Sequence, residues 1–156
     1  MAYLLNSNAT GMRFNDSTSL ISNSQFQKMK YIDFMMKLNE NEVFDSQSVP
    51  ESLGKKYKII SYYQKELKNK KETYENGLNN EQIIMRERNR FKESSENAMS
   101  VWVVKYVKTS KASVFWFNNK DIQTIFQDYT ELLFCKDKIT YVNKLGERIC
   151  FNLDDN

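Results

Sequence analysis

Up to Phe44 the apolar residues come in short runs broken by Asn, Asp and Ser, and Thr10, Met12 and Phe14 alternate with Gly11 and Arg13. A period of two with polar punctuation predicts antiparallel strands from Tyr3 to about Phe44. The period then lengthens. After Pro50-Glu51-Ser52, the positions Leu53, Tyr57, Ile60, Tyr63 and Leu67 recur three or four residues apart, which predicts an amphipathic helix of about five turns ending between Asn69 and Tyr74. Its opposite face carries Lys55, Lys58, Lys65, Lys68 and Lys70, with Glu66 on the acidic side; this reads as a solvated face, with a basic docking site as the alternative. Residues 75–98 are polar apart from Ile83, Ile84, Met85 and Phe91 and read as a linker with some helical tendency. Beyond it, Val101 to Val107, Ser113 to Phe117, Ile122 to Phe126, Glu131 to Cys135, Ile139 to Val142 and Arg148 to Leu153 are β-branched or aromatic runs separated by turn-forming polar clusters. These predict a six-stranded antiparallel meander.

Composition adds bounds to this pattern. A chain of 156 residues that is 40% hydrophobic and 13% aromatic can bury a real core, as one ordinary domain or two small ones. One proline and four glycines point to turns built from Asn and Asp. A net charge of +3 is too small to imply a nucleic-acid coat, so local clusters matter more than the total. The start, MAYLLNSNATG, has no basic region and a short apolar run, and no later segment has the length of a membrane span. An intracellular protein is expected, in which the sequons at Asn8 and Asn15 stay unglycosylated and Cys135 and Cys150 are two buried thiols without a disulfide.

Several chemistries are excluded by absent residues. There is no histidine, so a His-dependent triad, a His metal site and a kinase H-R-D loop are ruled out. Gly54-Lys55-Lys56 lacks the upstream glycine of a P-loop, and Asp154-Asp155 reads as a solvated tail. The residues offer no catalytic constellation, metal site or cofactor site.

The organising feature is a repeated phrase. FNDSTSLI (Phe14 to Ile21) and FQDYTELL (Phe126 to Leu133) share F-x-D-x-T-x-L and a final branched aliphatic residue at an offset of 112. The same offset aligns Tyr3 with Phe115, Leu5 with Phe117 and Asn6 with Asn118, and with a two-residue gap Tyr31-Ile32-Asp33 meets Tyr141-Val142-Asn143. A duplicated domain is the reading. In each copy Phe anchors a strand, Asp accepts backbone N–H bonds two residues on, and Thr with Leu starts the returning strand. The positions that differ, Ser17 against Tyr129 and Ser19 against Glu131, are free to carry function.

These residues resemble the polo boxes found C-terminal to the catalytic domain of polo-like kinases. YLLNSNATGMRFNDSTSLI with YID and PESLGKKYKIISYYQKEL is similar to the later part of a first box, and WVVKYVKTSKASVFWFNNKDIQTIFQDYTELLFCKDKITYVN to a second. The resemblance implies an α+β fold: two units, each a six-stranded antiparallel β-sheet with one α-helix, packed as a β-sandwich with a peptide groove between them. It divides the chain into a first box at 1–74 lacking its opening strand, the 75–98 linker, and a second box at 99–156 lacking its helix. Either the chain is a fragment, or another copy supplies the missing pieces by strand exchange.

By the same resemblance, phosphopeptide reading falls to a Trp on the first box's opening strand, which has no position here, and to a His and a Lys that align with Tyr129 and Glu131. Tyr129 can donate to a phosphate, whereas Glu131 brings a negative charge toward a group of about −1.5 to −2. Lys136 and Lys138 lie just beyond and are candidates to compensate; Lys105, Lys108 and Lys111 read as a solvated strand edge. Trp102, Tyr106, Trp116 and Tyr129 are candidates for an aromatic pocket, with core packing as the plainer role of each. The expected function is a non-catalytic interaction module that docks a peptide or partner strand in the groove or at a sheet edge. The alternatives are a homodimeric scaffold formed by strand exchange, and a basic helix that binds nucleic acid or acidic membrane, ranked last because its tyrosines fall largely on the buried side.

Overall fold

The computed structural model describes residues 1–35, 42–77 and 99–153. The chain divides into two compact units, whose described parts are residues 1–77 with 99–100 and residues 101–153.

The first unit is a five-stranded antiparallel meander of β1 (Ala2–Leu4), β2 (Thr10–Arg13), β3 (Thr18–Ser22), β4 (Lys28–Asp33) and β5 (Glu42–Asp45), ordered as in the sequence. Pairing sets Met12 opposite Leu20 and Leu20 opposite Tyr31, so these three share one face. The helix α1 (Gly54–Asn76) covers that face after a 3-10 turn at Glu51–Leu53, whose Leu53 N–H donates to Pro50 O at 2.9 Å. Leu20, Met29 and Ile60 form the buried centre, ringed by Met12, Phe14, Phe26, Tyr31, Phe44 and Tyr57. Burying each central side chain contributes about 1.5–3 kcal/mol. On the other face the Tyr3 ring lies against β2 at Gly11, where any Cβ would meet its phenol.

The second unit is a six-stranded antiparallel sheet in the order β11-β10-β9-β8-β7-β6. Its strands are β6 (Val103–Lys108), β7 (Ala112–Phe117), β8 (Ile122–Phe126), β9 (Glu131–Phe134), β10 (Lys138–Val142) and β11 (Arg148–Asn152). The expected strands are all present, their ends displaced by one or two residues. Strands β1 to β5 match β7 to β11 in order, and β6 and α1 are each present in one unit alone among the described residues.

The tight turns repeat one local solution in both units. An N–H donates to the carbonyl four residues on in Leu5–Ala9, Phe14–Thr18, Phe117–Asp121, Phe126–Thr130 and Asn143–Glu147, at 2.9 to 3.0 Å. The last loop residue of each, Asn8, Ser17, Lys120, Tyr129 and Gly146, has positive φ. This is the three-residue hairpin loop that ends in a left-handed residue. Only one of the five is glycine; side-chain hydrogen bonds hold the others, as the Asn and Asp content suggested.

The structure corrects four expectations. The helix runs past Tyr74 to Asn76, two residues into the expected linker, of which 78–98, with Ile83, Ile84, Met85 and Phe91, lie outside the described residues, as do Asp154 and Asp155. Tyr62 and Tyr63 are exposed, Tyr62 at 61%, because the covered side of the helix follows Leu53, Tyr57, Ile60, Gln64, Leu67 and Lys71 and leaves these two rings beside it. The reason for ranking nucleic-acid or membrane binding last therefore holds for Tyr57 alone. Lys68 is not on the solvated face: its Nζ donates to Ser24 O at 3.3 Å. Cys135 is only partly covered and Cys150 is exposed, since β11 is an edge strand with no layer over it among the described residues. No described helix is long and apolar enough to cross a membrane.

Candidate functional site

The repeated turn is where the two units can be compared atom by atom. In the first, Asp16 Oδ1 accepts from Thr18 N at 3.2 Å and Thr18 Oγ1 at 2.7 Å; in the second, Asp128 Oδ1 accepts from Thr130 N at 3.1 Å and Thr130 Oγ1 at 2.7 Å. The expected Asp-to-backbone bond is therefore present twice, with a hydroxyl bond beside it. Each carboxylate also meets a lysine, from a different place. Lys56 of α1 reaches Asp16 Oδ2 at 2.7 Å, whereas Lys144 of the β10–β11 turn stands 3.8 Å from Asp128 Oδ2. The Lys56 and Thr18 bonds hold the Asp16 carboxyl down at about 2. The Thr130 bonds hold Asp128 below its usual range, with Lys144 a smaller influence.

Between these fixed points the candidate residues diverge. Tyr129 has φ +67° and is 78% exposed, so the turn lifts its ring into solvent. Ser17 takes the same conformation at φ +61°. Glu131 opens β9, half-buried, and its Oε2 accepts from Gln123 Nε2 at 2.8 Å. Gln123 lies opposite Phe115 and Phe115 opposite Tyr106, whose rings are 5.0 Å apart. Tyr106, Phe115, Gln123 and Glu131 thus form a band across one face of the sheet.

The other expected site residues lie elsewhere in this unit. Trp116 belongs to the opposite face, with Lys105 Nζ 5.1 Å above its ring. Trp102 is tied to the β7–β8 turn, its N–H donating to Asn118 Oδ1 at 2.8 Å, at the end of β7 away from Tyr129. Lys136 and Lys138 are exposed around the β9–β10 turn, and β9 holds Lys136 on the order of 17 Å from Glu131. Tyr129's own end of the sheet carries Lys111, whose carbonyl accepts from Gln127 N at 3.1 Å, and Lys144. Lys144 and Gln123 were missed because only strand register brings them to Asp128 and Glu131.

The first unit contains a cleft of about 310 Å³ between α1 and the β1 edge, lined by Met1, Ala2, Met12, Tyr62, Tyr63 and Leu67 among others. The Tyr62 and Tyr63 rings meet edge to face, 5.4 Å apart.

The model of the POLO box duplicated region matches residues 1–57 and 109–156. The chain is 27% identical over 146 residues to the probable serine/threonine-protein kinase CCRP1 of Zea mays, covering 91% of this chain and 21% of that one. It is 25% identical over 150 residues to the serine/threonine-protein kinase PLK1 of Xenopus tropicalis, covering 94% and 23%. The chain thus spans less than a quarter of the length of these curated relatives. In structure it is similar to the polo-box domain of budding-yeast Cdc5, with a TM-score of 0.72 at 15% identity over 97% of this chain and 57% of that one. The same domain in complex with an Spc72 phosphopeptide gives 0.68, at 15% identity over 97% and 53%.

Proposed function

The chain belongs to the polo-box family, and from that premise we propose that it is a non-catalytic peptide-docking module whose phosphate readout at Tyr129 and Glu131 is weakened. The boxes are taken as 1–74 and 99–156, and the setting as intracellular, at the mitotic structures where polo-like kinases act. The Cdc5 domain binds an Spc72 phosphopeptide, and the same chemical task here would fall to the turn that presents Tyr129.

The observation that carries this reading is the Glu131 carboxylate, fixed by Gln123 at 2.8 Å on the band that includes Tyr106. No described cation forms an ion pair with it. A phosphate brought there meets like charge, and like charges at close range are unfavourable where water is displaced. Tyr129 supplies one neutral donor and a solvent-facing ring, which suits an aromatic or aliphatic peptide side chain better than a dianion. Titrating one peptide in phosphorylated and unphosphorylated forms tests the reading. Comparable affinities support it, and a preference of tenfold or more for the phosphorylated form overturns it.

A second reading has its own observation. β1 is an edge strand, whereas its counterpart β7 is covered by β6, so exchange of a strand between two copies would complete the first sheet. Sedimentation at tens of micromolar decides it: a strictly monomeric species rules exchange out.

A further inference from the structure

We propose that β11 is an interface for a second copy of this chain, pairing antiparallel with its own equivalent about a two-fold axis through Cys150. Each of the two sheets has two outer strands, and three of these four are guarded against such pairing. β1 has only three residues, β5 carries the exposed acids Glu42 and Asp45, and β6 has a register shift after Val103 and the exposed Lys105 and Lys108. Short strands, bulges and edge charges are the ordinary means by which a sheet edge stays unpaired. β11 instead runs five residues in unbroken register, all of them exposed, and its one charge, Arg148, stands at the end of the strand.

The bonds to β10 set which way the backbone groups of β11 point. Asn143 N donates to Glu147 O at 3.0 Å and Leu153 N to Asp137 O at 2.8 Å, at the two ends of the pair. Bonded pairs alternate along an antiparallel ladder, so Ile149 and Phe151 bond inward, and the N–H and C=O of Cys150 and Asn152 point away from β10. Only an axis through Cys150 lets all five residues pair with a copy. Cys150 then exchanges two main-chain bonds with Cys150 of the second copy, while Arg148 lies opposite Asn152 and Ile149 opposite Phe151, each twice. No like charges meet in this register. Ile149 and Phe151 are each more than half exposed, and a β-branched residue opposite an aromatic ring is a favourable cross-strand pair. The strand is thus complementary to itself, which makes a copy the fitting occupant.

One pair of strands buries less area than a stable dimer usually does, so a Kd on the order of 100 μM is expected. Sedimentation equilibrium of the full chain, from tens of micromolar to one millimolar, reads it. Cys150→Lys and Cys150→Glu each set like charges face to face across the axis and should weaken the dimer at least tenfold, whereas mixing the two should restore it as a heterodimer. Diamide, which takes two electrons and two protons from a pair of thiols, should link wild type and Cys135→Ser into dimers through one disulfide and leave Cys150→Ser unlinked. Directly opposite Cα atoms about 5.5 Å apart suit that bond. A chain that stays monomeric to one millimolar overturns the interface, as does failure of the Lys and Glu forms to recombine. A dimer that the Cys150 charges leave unchanged overturns it too, and points to exchange at β1. Should a charged form not fold, the diamide result decides: linkage of Cys135→Ser but not of Cys150→Ser supports the interface, and equal linkage or none overturns it. Peptide docking at Tyr129 and Glu131 plays no part in this interface, so its matched-peptide test stands either way.

Discussion

The Lys56 ammonium lies 2.7 Å from Asp16 Oδ2, so the first turns of α1 are fastened to the hairpin turn between β2 and β3. The same ammonium stands 5.3 Å from the Phe14 ring centroid and 5.4 Å from that of Tyr31, and donates to Thr18 Oγ1 at 2.7 Å. One lysine therefore joins an ion pair, a hydroxyl and two aromatic faces at the rim of the core.

The Asp16 pair predicts a pH window. Its carboxyl is held at about 2, below the ordinary 3.8, so its stabilisation is fully present above about pH 4 and is lost as pH falls toward 2. The pair is partly exposed, which limits the effect to about 1 kcal/mol or less. Lys56→Met should lower stability by that amount at pH 7 and move the Asp16 midpoint, followed by carboxyl NMR, upward toward 3.8.

The Leu20–Met29–Ile60 centre predicts the largest losses. Leu20→Ala and Ile60→Ala should each cost about 2–5 kcal/mol in urea unfolding, because each leaves a cavity between sheet and helix. Exposed Tyr62→Ala should change stability by less than about 0.5 kcal/mol.

Gly11 is required by contact rather than by backbone angle. Gly11→Ala drives a methyl into the Tyr3 ring and should cost about 1–3 kcal/mol. Tyr3→Ala made together with it should cost less than the sum of the two single changes, since the clash then disappears.

Tyr129 carries both strain and the candidate function. A bulky residue with positive φ is disfavoured by roughly 1–2 kcal/mol, a cost glycine escapes. Tyr129→Gly should therefore raise the Tm while weakening peptide binding, a combination that a purely structural tyrosine would not give. Glu131→Lys should introduce a tenfold or greater preference for a phosphorylated peptide over its unphosphorylated form, read by fluorescence anisotropy.

The strands were legible because each is a short β-branched or aromatic run ended by a polar turn, and the F-x-D-x-T turns because Asp-to-Thr bonding is local. What escaped the sequence depends on which face meets which neighbour. Helical spacing placed Tyr63 with Ile60, but the sheet covers a narrower line than the apolar stripe, so Tyr63 emerges into solvent. Alternation marked Cys150 as buried without showing that β11 would be an outer strand. Sequence proximity grouped Lys136 with Glu131, although the length of β9 separates them. Spacing also kept Tyr106 and Glu131 apart, which register unites on one face.

The uninterrupted strand order has a consequence for how the chain is made. Every described strand pairs with a sequence neighbour, and hairpins close in about 1–10 μs. At about 5–20 residues per second, the ribosome needs on the order of 6 to 20 s to reach the second F-x-D-x-T turn, 112 residues after the first. The first hairpins are thus closed long before their look-alikes exist, and synthesis itself keeps two similar sheets from exchanging strands.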